Sequence, residues 1–149
     1  MTPLKAPRGI RNNNPGNIDF NLHAPAWLGE IRPSADPRFC QFDTMAHGVR
    51  ALAENFLAYH MRDHINTIQG AINRWAPSVE NNTSAYVQAV AQGCGVHPQD
   101  VYPFTDNHHL CALCAAVIEH ENGAPGGGSW VSDTDLLTGV TEALQAHGI

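Results

Sequence analysis

Beyond residue 46, apolar residues recur at three- and four-residue spacing, and that period predicts helices. From His47 to about Met61, residues Val49, Leu52, Ala53, Phe56, Leu57 and His60 share one face. A second helix is predicted from Thr67 to Trp75. It stops at Ala76-Pro77, because a residue before proline is driven out of the helical region. Thr83 is placed as the cap of a third helix, which carries Tyr86, Val87, Val90 and Ala91 and ends at Gly93 and Gly95. A fourth, capped by Asp106 or Asn107, presents Leu110, Cys111, Cys114, Ala115 and Ile118. It reaches Glu119-His-Glu121 and breaks at Asn122-Gly123. The last begins behind Ser132, with Asp135 at its third position, and runs to about Ala146.

Residues 8–46 lack this period and are rich in Asn, Pro and Gly. Phe39-Cys-Gln-Phe42 can pair with Ile18-Asp-Phe20 as a small hairpin or ribbon. Ala124-Pro-Gly-Gly-Gly128 reads as a flexible loop. No repeat or linker divides the chain, so residues 1–149 are expected to form one mainly α (α+β) domain with a small β element near the N-terminus. A chain of this size can bury about 70% of its unfolded surface.

Charge narrows the function classes. The formal net charge is −6, and the eight lysines and arginines are thinly spread. Nucleic-acid binding needs clustered cations to displace counterions from phosphates, so DNA and RNA are set aside. No apolar run approaches the ~20 residues of a membrane span. Met1-Thr-Pro-Leu-Lys-Ala-Pro7 lacks the apolar centre of a secretory signal, so a role outside the cytoplasm would require delivery. Four cysteines, Cys40, Cys94, Cys111 and Cys114, are too few for a disulfide scaffold and are expected to be mostly buried thiols.

The candidate chemistry lies in three places. Glycoside cleavage needs a carboxylic acid that stays protonated near neutral pH, and partial burial is the usual means. Glu121 ends an apolar helix before a glycine-rich loop, where core and cleft should meet. Glu119, two residues earlier, points to the other side of that helix. Against this stands the reading of both as solvated helix-end carboxylates. Asn12, Asn13, Asn14 and Asn17 lie in tight turns whose amides suit sugar hydroxyls and acetamido groups, or simply bond within the turn. Trp27, Trp75 and Tyr86 offer flat surfaces for sugar rings, or core.

Metal and thiol chemistry are weaker candidates. His60 and His64 lack the Glu of a zinc-protease helix, and His108, His109, Cys111 and Cys114 lack structural-zinc spacing. Cys40 or Cys94 with a histidine could act as a nucleophile, but no spacing fixes such a pair. No metal and no cofactor is expected.

Arg8-Gly-Ile-Arg-Asn-Asn-Asn-Pro-Gly-Asn-Ile18, Trp27-Leu-Gly29, Phe39–Phe42 and His47-Gly-Val-Arg-Ala51 resemble a family of phage virion-associated lysozyme-like proteins. So do Arg74-Trp-Ala-Pro77, Glu80-Asn-Asn-Thr83 with Tyr86, and Ile118-Glu-His-Glu-Asn-Gly123. The order of motifs is also distantly similar to flagellar- and autolysin-type glucosaminidases. In those the Glu-x-Gly element precedes the Asn-rich strand, whereas here it appears towards the back as Glu121-Asn-Gly123. The resemblance therefore implies a lysozyme-like fold in circularly permuted order.

It also implies a peptidoglycan glycan-strand cleaving enzyme: a muramidase, glucosaminidase or lytic transglycosylase. Glu121 would be the general acid/base, with Glu119 the alternative acid. Tyr86 would orient substrate or stabilise the oxocarbenium-like transition state. Asn13, Asn14 and Asn17 would hold an N-acetyl group, with Trp27 and Trp75 against the sugars. Glu30 and Asp43 are the places to look for a second carboxylate. A virion, a secretion apparatus or an immunity protein is the implied partner. The implied site of action is the periplasm, reached by delivery as a toxin or by carriage in a virion. The net acidity is unexpected for a protein that approaches an anionic wall. The competing classes are a non-catalytic virion or glycan-binding protein of the same fold and a metal- or cysteine-dependent peptidase. The enzyme reading requires Glu121 to lie within about 15 Å of Asn13–Ile18 and to face Tyr86.

Overall fold

The computed structural model describes residues 5–78 and 82–149. Among these, six helices appear in chain order: α1 Arg8–Arg11, α2 Met45–Met61, α3 Ile68–Trp75, α4 Thr83–Cys94, α5 Asn107–Asn122 and α6 Asp133–Ala146. Side-chain oxygens start them. Thr44, Thr67, Asp106 and Ser132 accept from the backbone N–H groups of His47, Gly70, His109 and Asp135, filling donors that a helix leaves open. The protein is mainly α.

Three sequence expectations need correction. Arg8–Arg11 forms one helical turn where no helix was expected. The α2 helix starts at Met45, because Thr44 supplies the cap three residues ahead of His47, where the apolar period was read to begin. Thr83 does not cap α4: Asn82 accepts from Ala85 N–H, while the Thr83 hydroxyl donates to the Ala76 carbonyl, 2.5 Å away. That bond ties the start of α4 to the end of α3. Glu80 and Asn81 of the quoted motif lie outside the described residues.

The main core is built around α2, whose Val49, Leu52, Phe56 and Leu57 are fully buried. The α6 helix lies closely along it, because Gly139 has no Cβ to strike the Ala46 carbonyl and Val49. Ile68 and Ile72 of α3, Val90 of α4 and Leu110, Leu113 and Val117 of α5 complete the core, with Tyr102 and Phe104 from the α4–α5 connector. A satellite cluster of Cys40, Phe42 and Ala51 sits under the N-terminal segment. The two candidate strand segments do meet: Cys40 N–H donates to the Ile18 carbonyl and Phe20 N–H to that of Arg38. The pairing amounts to the isolated bridge Asp19–Phe39, because Phe42 sends its N–H to the Asn12 carbonyl instead.

The signature segment folds as a scaffold. Arg8 makes two 2.6 Å bonds to Asp36, which also accepts from Asn12. Asn13 and Asn17 have φ of 51° and 52°, the left-handed region that asparagine tolerates better than most residues. Asn14 is fully buried and donates to the Ile18 and Cys40 carbonyls. Gly9 faces the amide oxygens of Asn17 and Asn122, leaving no room for a side chain.

The Arg8 guanidinium, and beyond it the Phe39 and Arg38 backbone N–H groups and Asn12, hold the Asp36 carboxyl far below the usual carboxylate range. A carboxyl depressed by folding stabilises the native state above its unfolded value near ~3.9, and that contribution fades as pH falls further. The Asp36→Asn variant is therefore expected to be less stable than wild type at about pH 7, with the difference shrinking below about pH 4. Urea melts at several pH values check this; a constant difference down to about pH 2 would contradict the ion-pair assignment.

Candidate active site

The last turn of α5 brings Glu121 to the signature segment. Asn17 Nδ2 donates to Glu121 Oε1 at 3.2 Å, across 104 positions of sequence. Tyr86, on α4, donates its hydroxyl to Glu121 Oε2 at 2.7 Å, and Trp75, ending α3, donates its indole N–H to Tyr86 Oη at 3.1 Å. Each carboxyl oxygen thus accepts one protein hydrogen bond and keeps a lone pair for a ligand. The neighbouring Asn122 locks the junction by donating to the Pro15 and Ile118 carbonyls.

Of these groups Asn17, Trp75 and Glu121 line a cleft of about 220 Å³, whereas Tyr86 and Asn122 do not. Ile18, Asp19, Arg38, Phe39 and Tyr59 share its lining. Tyr86 is 2% exposed; its burial first, then the Glu121 charge, pushes its hydroxyl well above the ordinary tyrosine range. It therefore remains a proton-bearing donor to Glu121 at any working pH. The His120 ring lies on the Tyr86 ring at 3.8 Å between centroids, and Phe56 packs against Trp75 at 5.4 Å, so both aromatics are held from behind.

Other sequence candidates lie elsewhere. Glu119 is exposed and lines a separate hollow with Ala89, Gln92, Gly93 and His120. Asn14 is buried with its amide committed to backbone carbonyls, and Asn13 gives its amide to the Phe42 carbonyl at 3.2 Å. Neither lines the cleft, because these amides hold its scaffold together. Trp27 lies in an adjoining cavity that shares Ile18 and Asp19 with the cleft. Glu30 is used internally, paired with Arg32 and accepting the Trp27 N–H, and Asp43 is held by His47 at 2.6 Å.

The second carboxylate in the cleft is Asp19, paired with Arg38 at 3.2 Å. Sequence reasoning missed Asp19, Arg38 and Tyr59. Asp19 directly follows the signature, the one signal that pointed to it. Burial pushes the Cys40 thiol up to about 12 and raises that of Cys94 as well, which removes the thiolate a cysteine nucleophile needs. His60 Nδ1 is engaged by the Ile65 carbonyl at 2.7 Å. Among the described residues no three His, Cys, Asp or Glu side chains are grouped to hold a metal.

No protein-family profile matches the chain. Protein P5 of Pseudoalteromonas phage PM2 is 37% identical to it over 126 residues, covering 80% of this chain and 74% of the phage protein. The chain belongs to the Protein P5 family. The relative associates the chain with phage. Among the described residues of this Protein P5 relative, no helix is long and apolar enough to cross a membrane.

Proposed function

We propose that this protein cleaves the glycan strands of peptidoglycan, with Glu121 as general acid/base. The observation that carries this reading is the Glu121 carboxyl, clasped by Tyr86 and Asn17 where it lines an open cleft. A sugar chain laid along the cleft would meet the Trp75 ring and the Asn17–Asp19 segment. Glu121 would donate its proton to the glycosidic oxygen as the bond breaks, and Tyr86 would keep the carboxyl aimed at it. Asp19, the other carboxylate of the cleft, is two-thirds exposed in its ion pair with Arg38 and is not held by the Tyr86–Glu121–Asn17 hydrogen bonds. That favours a single-acid route, in which the substrate's own acetamide assists or an anhydro product forms.

The contact between Glu121 and Asn17 also supports a lysozyme-like arrangement in circularly permuted order, since it joins the displaced Glu-x-Gly element to the Asn-rich segment. Phage kinship supports carriage in a virion. A second reading has its own observation. The bonds at Glu121 tie α4, α5 and the N-terminal segment together, so the same constellation could serve as a structural clasp in a non-catalytic virion protein.

Purified sacculi incubated with the protein decide between them. The enzyme reading expects a fall in turbidity and release of muropeptides, with mass spectrometry separating reducing from anhydro ends. Intact sacculi would leave the clasp reading. Tyr86→Phe removes one of the two protein hydrogen bonds that the Glu121 carboxyl accepts and is expected to lower the cleavage rate about 10- to 100-fold with little change in substrate affinity. Steady-state rates on soluble glycan fragments would check it.

A further inference from the structure

Beside the Glu121 cleft lies a second cavity of about 480 Å³, lined by Ile18, Ala24, Pro25, Ala26 and Trp27, with Asp19 and Asn21 as its polar members. The two cavities share Ile18 and Asp19, so a ligand in one can continue into the other. Their characters differ. The cleft is the more polar of the two, whereas the Trp27 cavity offers mainly methyl groups and flat rings. A sugar carries hydroxyls on every side and would leave most of them unbonded there. Small alkyl side chains joined by amides fit it better.

The boundary between the cavities is charged. Arg38 and Asp19 form an ion pair in which both side chains are about two-thirds exposed, at 65% and 67%. Such a pair can exchange its partner for ligand charges at little cost, because an exposed ion pair contributes little by itself. Arg38 is also one of five lysines and arginines that precede residue 40 against three acidic residues, whereas the remainder of the chain carries three against eleven. Arg8, Arg32 and Arg38 of this segment are each paired with a carboxylate, and Arg38 is the one of the three that lines the cleft, where it can turn to a ligand carboxylate.

We propose that the Trp27 cavity seats the peptide stem of peptidoglycan, an inference that rests on the glycan-cleaving reading of the neighbouring cleft. The alanine methyls of the stem would pack against Trp27, Ala24 and Ala26. Its carboxylates would pair with Arg38, and the ammonium of a diamino acid with Asp19. The protein would then select glycan strands that still carry their stems.

The test compares stem-bearing strands with strands stripped by an amidase. Wild type is expected to cleave the stem-bearing strands at least about tenfold faster, the ratio that ~1.4 kcal/mol of stem binding would give. Ala24→Trp, which fills the cavity from an irregular loop, and Arg38→Gln are each expected to bring that ratio close to one. Equal cleavage of both strands by wild type would overturn the stem proposal and leave the proposed function standing. If neither strand is cut, the proposed function fails, and binding judges the cavity independently. A free alanine-, glutamate- and diamino-acid-containing stem peptide is expected to shift the Trp27 indole N–H resonance, assigned by its loss in Trp27→Phe. No shift at millimolar peptide would overturn the stem site outright.

Discussion

Glu121→Gln is expected to lower glycan cleavage by about 10²- to 10⁴-fold, the range typical for loss of a positioned general acid. The substitution keeps the shape of the side chain but not its chemistry. Tyr86 can still donate to the remaining carbonyl oxygen of the amide. The Asn17 amide, which now donates to Oε1, would then meet a second N–H donor, so one hydrogen bond is lost. That costs about 1 kcal/mol, and the variant should fold and melt only slightly below wild type. Glu119→Gln should leave the rate within about twofold, because that carboxylate is exposed in a hollow away from the cleft. Rates on sacculi and thermal melts of both variants give the comparison. Full activity in Glu121→Gln, or loss only in Glu119→Gln, would remove Glu121 from the mechanism.

Spacing alone excluded a joint role for the two glutamates but left open which of them faces the signature segment. Residues two apart on a helix differ by about 200° in direction, so only one of them could face the signature segment. The long-range step was less accessible. That Glu121 meets Asn17 depends on the last turn of α5 docking on the Asn14–Asn17 turn through Asn122 and the Pro15 carbonyl. No local pattern encodes that contact, and the order of motifs suggested it only by analogy.

The five longer helices, α2 to α6, were legible because each carries a 3.6-residue apolar face and an oxygen-bearing cap, whereas α1 follows Pro7 and has no side-chain cap. Thr83 misled because its hydroxyl has a tertiary partner, the Ala76 carbonyl, that is invisible from sequence. The asparagines misled in a similar way. An amide suits a sugar and a buried backbone carbonyl equally well, and at Asn13 and Asn14 the backbone takes it. Asp19 and Arg38 reach the cleft on irregular chain held by the Arg8–Asp36 pair and the Asn14–Cys40 bond. Periodicity has no purchase on such a segment.

Gly48→Ala should be among the most destabilising single-methyl changes in this protein, by about 2–4 kcal/mol. Gly48 lies inside α2, where alanine would ordinarily stabilise a helix by up to ~1 kcal/mol. Here the added Cβ would overlap the Asn13 carbonyl oxygen and press on Pro15 Cδ at 3.0 Å. The carbonyl is backbone and cannot swing aside as a side chain end would. Either α2 must retreat from a core in which Val49 and Leu52 are fully buried, or the Asn13–Asn17 turn must move. The second route displaces Asn17 from Glu121, so activity should fall together with stability. Gly127→Ala is the contrasting case: its added methyl has nothing within 4 Å, and its effect should stay within about 0.5 kcal/mol. Urea midpoints for the pair measure the difference. Equal stability would mean that α2 and the signature turn are not held in the close contact from which the cleft is built.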